Sequence, residues 1–290
     1  MFAANQFPLI REIAALPLAV ASNGVLPLST VLVLAFVAVI VLRSYQRLRG
    51  STLVGPWAWT LAALLGLGAA ALLPSEEAYD AGRFAAAMGI FCPVMSVLGA
   101  KRPQDKAWHW IVLSLWGILA LPALEAMILR PGQPLAIVDF RAWFLVVLIG
   151  LNVVVYLPTR HWFASLLLGG AQLSICWPFL PWTTVSYSPW QTLNASLLLL
   201  GTALLTTWPK RRAPGFDRIW LDFRDAFGAL WAARVLERVN AAATMYDWPV
   251  RLGWYGFHDA NDPAKAAEIP PELQHSVSQT ITNLLRRFVA

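Results

Sequence analysis

"AGRFAAAMGIFCPVMSVLGA", residues 81–100, decides how the whole chain is threaded. It is rich in Ala and Gly, has Arg83 near its start and carries Pro93 in its middle, so it is the weakest of the apolar stretches as a membrane span. Charge settles the matter. If this stretch fails to cross, Lys101, Arg102 and Lys106 share a side with Glu76, Glu77 and Asp80, opposite Arg43, Arg47 and Arg49. If it crosses, every basic connection falls on one side. These are Arg43 to Arg49 after the first span, the Lys101 cluster after the third, Arg160 after the fifth and Lys210, Arg211 and Arg212 after the seventh. Because basic loops stay in the cytoplasm, that side is predicted to be the inner one, with the N-terminus outside and the C-terminus inside.

Working outward, seven stretches are long enough to cross about 30 Å of hydrocarbon at 1.5 Å per residue. They lie near 25–42, 53–73, 81–100, 107–129, 141–157, 161–180 and 190–208. The chain of 290 residues is 58% hydrophobic and 13% charged, far from the composition of soluble domains. Its 22 Lys and Arg exceed its 16 Asp and Glu, but they are scattered between apolar runs, so they act as topology signals and no nucleic-acid partner is expected. Only four cations are Lys, and with so much Ala, Leu and Trp the composition points to a GC-rich bacterial genome and a bacterial plasma (inner) membrane. The expected fold class is therefore all-α: a polytopic seven-helix transmembrane bundle over 25–208, with a cytoplasmic amphipathic helical tail over 209–290. Residues 1–24 are expected to form a short interfacial helix; "AVA" before Ser22 resembles a signal-peptide cleavage site, but no basic region precedes it.

Tryptophan positions test the threading with different residues, since Trp prefers the two interfaces. Trp57, Trp59, Trp108, Trp110, Trp162 and Trp208 fall at predicted inner ends, and Trp143, Trp177, Trp182 and Trp190 at outer ends. Of the Trp residues in the spans, only Trp116 lies well inside one.

Within lipid, close helix contacts depend on small residues and on polar groups that need partners. In the third span Gly82 and Ala86, and Ala85 and Gly89, are four apart, so this helix is predicted to be enclosed by the others, with a kink at Pro93. Ionisable residues in the spans are few and expensive. Arg83, Glu125 and Arg141 all lie near outer ends and form, with Asn152, a candidate polar cluster: either an ion pair fixing helix register or a cavity open to the outside. Asn152, Gln172 and Asn194 read as interhelical hydrogen-bonding groups. Cys92 and Cys176 differ in depth by roughly 10 Å, too far for a disulfide.

Several chemistries are excluded by placement. A retinal Schiff base needs a Lys in the last span, which has none. A membrane haem needs two mid-span His, whereas His109 and His161 open spans at the inner interface and His258 and His275 lie in the tail. No HExxH, Walker A, GxSxG or GxGxxG signature is present, and neither cofactor nor metal is expected.

In the tail, Phe216, Trp220, Phe223, Phe227, Leu230, Trp231, Val235 and Val239 form one stripe of a long amphipathic helix. Asp217, Asp222, Arg224 and Asp225 fall largely off it. "DWPVRLGWYGFHDANDP" reads as an irregular aromatic segment that covers something. A final helix after Pro270 and Pro271 places Leu273, Val277, Ile281, Leu284 and Phe288 on one face. These two stripes either close a small cap against the bundle or dock the inner leaflet or a protein partner. The implied function is a non-catalytic subunit or assembly factor of a membrane complex that docks partners through its tail. The alternatives are a transporter or membrane enzyme with a polar cavity at Arg83 and Glu125, and a sensor relaying an outer signal to the tail.

Overall fold

In a computed structural model the described residues are 24–74, 79–101, 104–129, 139–180, 187–208, 215–267 and 269–289, with Leu135, Ile137, Trp182 and Thr183. The expected interfacial helix over 1–24 and the basic linker over 209–214 lie outside them. The part of the chain read as membrane-embedded folds into α1 (Val25–Leu48), α2 (Val54–Ala71), α3 (Asp80–Met88), α4 (Cys92–Leu98) and α5 (Asp105–Leu119). α6 (Leu121–Ile128), α7 (Asp139–Tyr156), α8 (Trp162–Cys176) and α9 (Pro189–Thr207) complete it. Among the described residues five helical stretches are long and apolar enough to cross a membrane, or six if the bent pair α5 and α6 counts as one. α9 is not among them: Gln191, Asn194 and four Thr dilute its apolar character. It nevertheless packs along both α1 and α8.

The 81–100 stretch becomes α3 and α4, separated by a 3-10 turn over Gly89–Phe91. Pro93 has no N–H and its ring crowds the carbonyl four residues back, so the Gly89 carbonyl accepts from the Cys92 N–H instead and the helix tightens there. Enclosure of this span is as expected, with 61% of its residues buried against 22–33% in the other four. Small residues make that possible. A Cβ on Gly89 would lie 3.8 Å from the Ala63 Cα, and one on Gly66 3.9 Å from the Ala86 Cβ, so α2 and α3 meet nearly backbone to backbone.

The stretch expected as one span over 107–129 bends by 56° between α5 and α6. Pro122 in the first turn of α6 is the cause, for the same reason as Pro93. Trp143 and Trp182, both expected at the same membrane face, lie in contact, with ring centroids 5.1 Å apart and planes tilted by 60°.

The tail is not purely helical. α10 (Gly215–Met245) is followed by strands β1 (Val250–Gly253) and β2 (Gly256–Asp259), then α11 (Pro271–Leu285). The segment read as irregular is an antiparallel hairpin whose two-residue turn is Trp254-Tyr255. Its inward residues Val250, Leu252 and Phe257 are buried, and the Asn240 carboxamide bonds both the N–H and the carbonyl of Leu252 at 2.8 and 2.9 Å. α10 is likewise not the continuous helix expected. Gly228 sits at φ 75°, ψ 178°, a conformation essentially reserved for Gly, and breaks it in two.

Candidate functional site

Among the described residues no hydrogen bond or ion pair joins any two of the four residues expected to form an outer polar cluster. Arg83 is only 4% exposed; it donates to Asp80 at 2.6 Å, to the carbonyls of Leu73 and Pro74, and lies 4.2 Å over the Tyr187 ring. α3 packs on α6, but α6 turns Pro122 and Ala123 inward and leaves Glu125 on its exposed face. Among the described residues no hydrogen bond or ion pair joins Arg83 to Glu125. Asp80, one turn away on the same helix, has taken the place expected for Glu125. Arg141 is half-buried and lines a separate apolar cavity of about 250 Å³ with Phe84, Leu119, Pro122 and Phe144. Asn152 lies eleven residues further along α7, roughly 16 Å deeper at helical rise. It is 1% exposed, and neither its oxygen nor its nitrogen has a partner among the described residues.

The other polar groups of the bundle serve packing. Gln172 reaches the Ile90 carbonyl freed at the α3–α4 break, at 3.5 Å, and Asn194 bonds Ser174 across α8 and α9 at 3.2 Å. His109 accepts the Trp59 indole N–H on Nδ1 at 3.1 Å, which makes its neutral Nε2–H tautomer the bonded one. Its ring lies on Gly55, where a Cβ would come within 2.6 Å of Cε1. Cys92 and Cys176 are both buried free thiols. Among the described residues no group of three His, Cys, Asp or Glu is placed to hold a metal ion.

A dense group of polar contacts lies where the tail meets the bundle. Six of the nine tail residues singled out as docking candidates are buried in the tail's own core: Trp220, Phe223, Phe227, Trp231, Val277 and Ile281. Phe216, Leu273 and Leu284 pack half-buried around it. Phe288 joins them, with its ring edge-on to Phe223, Phe227 and Trp231 at 4.9 to 5.3 Å. The stripe thus closes a cap, and Leu230 alone of the α10 stripe is left exposed.

Three connections of the bundle hold that cap. In the α1–α2 turn, Thr52 donates from its backbone to the Phe288 carbonyl at 3.1 Å and from its hydroxyl to the Ala100 carbonyl at 2.7 Å. At the end of α4, the Val97 carbonyl accepts the Trp231 indole N–H at 3.0 Å. In the α7–α8 turn, the Pro158 carbonyl accepts the Trp254 indole N–H at 2.6 Å, and Arg160 pairs with Asp225 at 3.8 Å.

No known protein family, curated protein or solved structure matches the chain.

Asp225 is the electrostatic centre of the junction. Its carboxylate takes two bonds from Arg224, at 2.8 and 3.1 Å, and faces Arg160 from the bundle, while Arg224 also donates to the Trp254 carbonyl at 2.7 Å. Arg224 and Asp225 are about 5% exposed, contrary to their expected place on a solvated face. Asp217 leaves that face too, accepting the Phe257 N–H at 2.8 Å. Sequence reading missed Trp254, Asp225 and Gly228 as junction residues. A charge pair within an aromatic-rich helix, with a Gly three residues on, was the available signal; what the pair faces is set by chain 65 residues away.

Proposed function

We propose that this protein is a non-catalytic component of a bacterial plasma-membrane complex, threaded seven times with its N-terminus outside, whose cytoplasmic cap is a rigid platform for a protein partner. The observation that carries this reading is the clamp itself: the cap closes its own apolar core and is held to three separate bundle connections, through Thr52–Phe288, Val97–Trp231 and Pro158–Trp254. Such a cap is preorganised, which lowers the ordering cost of binding a partner. Those same connections are the basic ones, so the positive-inside rule supports a cytoplasmic cap. The partner surface in this reading is carried by exposed side chains of the cap, Met245 and Tyr246 at the end of α10 and Tyr255 at the hairpin tip, exposed at 67%, 58% and 84%. A transporter centred on Arg83 and Glu125 draws no support from the positions of those side chains. A relay from bundle to cap is favoured by one contact, that of Trp231 with the broken third span at Val97.

Copurification in mild detergent tests the platform. Wild-type protein should bring down a defined set of membrane proteins, and a Met245→Ala/Tyr246→Ala/Tyr255→Ala variant that remains monodisperse should lose them. Retention of the full set by that variant, or by a chain lacking residues 213 to 290, contradicts the reading. Topology has its own test: all four lysines belong to cap-side segments, so an impermeant amine reagent on intact cells should leave every lysine unmodified.

A further inference from the structure

A cavity of about 240 Å³ opens between α1, α2, α4, α8 and α9. We propose that it holds the acyl chain of an anionic phospholipid drawn from the leaflet at the Leu48 end of α1.

Its shape follows the bundle axis. The lining runs from Ser44 to Val37 on α1 and from Thr60 to Leu67 on α2, seven residues on each antiparallel helix, or about 10 Å of rise. Its two ends differ chemically. Ser44, Thr60, Thr206 and Thr207 gather at the Leu48 end, while Val37, Leu67, Ile90 and Leu199 line the deep end. Each of those four hydroxyls already donates to a carbonyl of its own helix, at 2.7 to 2.9 Å. The wall therefore offers no free hydroxyl donor to a polar ligand, and the hydrocarbon-lined deep end has no polar group to hold a water. At about 240 Å³ it exceeds the roughly 150 Å³ that admits a benzene-sized guest. In a chain of apolar spanning helices the apolar molecule at hand is the hydrocarbon of the bilayer.

The headgroup assignment rests on Arg47. It stands seven residues after Ile40, hence within about 20° of the same α1 face, one turn beyond the mouth at Ser44. It is exposed, and no described residue forms an ion pair or side-chain hydrogen bond with it. A phosphate at that level receives its charge while the chain enters between Ser44 and Thr206.

The full-length protein in phosphatidylcholine vesicles, doped with a phosphatidylglycerol carrying a photoactivatable group at one chain end, provides the test. Label should map to the cavity wall in α1, α2 and α9, and Ala203→Phe should lower it about tenfold, the effect of excluding roughly two methylenes. If that variant is not monodisperse, Thr206→Phe at the exposed mouth replaces it. Arg47→Gln should lower labelling by the phosphatidylglycerol probe about fivefold and leave a phosphatidylcholine probe unchanged. Excess unlabelled phosphatidylglycerol should compete, and free fatty acid should not. Label confined to outward residues such as Leu28, Leu65 and Leu197, or undiminished by either Phe, overturns the site. Equal loss of both probes in Arg47→Gln, or competition by fatty acid, overturns the anionic phospholipid.

Discussion

Trp254, at the tip of a hairpin in the cap, donates its indole N–H to the carbonyl of Pro158, 2.6 Å away across the α7–α8 turn of the bundle. One side chain thereby ties two parts of the chain that sequence patterning treats as separate. The Trp254 backbone carbonyl is occupied as well, by the Trp220 indole at 3.2 Å and by Arg224. Trp254→Phe keeps most of the ring but removes the donor, and should cost about 1 kcal/mol. Hydrogen exchange should report this as faster exchange across residues 250–259, with the bundle unchanged. Unaltered exchange there shows that the hydrogen bond contributes nothing to docking.

Asp225 offers a sharper perturbation. Replacing it with Ala leaves Arg224 buried at 5% exposure with half its partners, and removing one member of a buried pair typically costs roughly 3–5 kcal/mol. Asp225→Ala is therefore expected to undock or unfold the cap, read as protease cleavage inside 215–289 under conditions that leave wild type intact. In an Arg160→Ala background the change should be less than additive, since both remove the same contact.

Gly228 supports the cap through its backbone. At φ 75°, ψ 178° any Cβ is strained, and one placed there would stand 2.7 Å from Val155 Cγ1 and 3.1 Å from the Val155 carbonyl oxygen. Gly228→Ala should lose roughly 1–3 kcal/mol from the backbone alone, measured as a lower thermal midpoint. A Val155→Ala change relieves part of the clash and should restore some of the loss; no restoration would place the whole effect in the backbone.

Gly99 is required for a different reason. Its φ of −99° is open to any residue, but a Cβ would fall 1.9 to 2.2 Å from the Trp108 indole, which lies flat on it and donates to the Met95 carbonyl at 2.8 Å. Gly99→Ala must displace that ring and should cost roughly 1–3 kcal/mol, as overpacking does. The midpoint of thermal unfolding in detergent checks it; a shift smaller than that of Gly117→Ala, where an added Cβ meets nothing within 4 Å, would count against the packing argument.

Asn152 is predicted to behave in the opposite sense. Both polar atoms of its carboxamide are buried without partners among the described residues, so Asn152→Leu, of similar volume, should stabilise the bundle by about 1–3 kcal/mol. Destabilisation would instead mean that the amide is engaged by a water or ligand in the native membrane.

Sequence patterning reached the helical, membrane-type character, the enclosed third span and the break at Pro93, because each follows from local chemistry. Apolar length, small residues four apart and a missing N–H act on their own neighbourhood wherever the helix is placed. The sequence also implied that the aromatic stripe of α10 and the face carrying Val277 and Ile281 would be covered. It left open whether a leaflet, a partner or the protein itself would cover them.

Only the tertiary structure decided which groups meet. Arg83 was grouped with Glu125, but it pairs with Asp80 on its own helix while Glu125 stands on the exposed face of α6. Arg224 and Asp225 looked like a solvated face until the α7–α8 turn and the hairpin were brought against them. Composition and periodicity are properties of a segment; the partner of a charge is a property of contacts between segments far apart in sequence, which only the packed chain specifies.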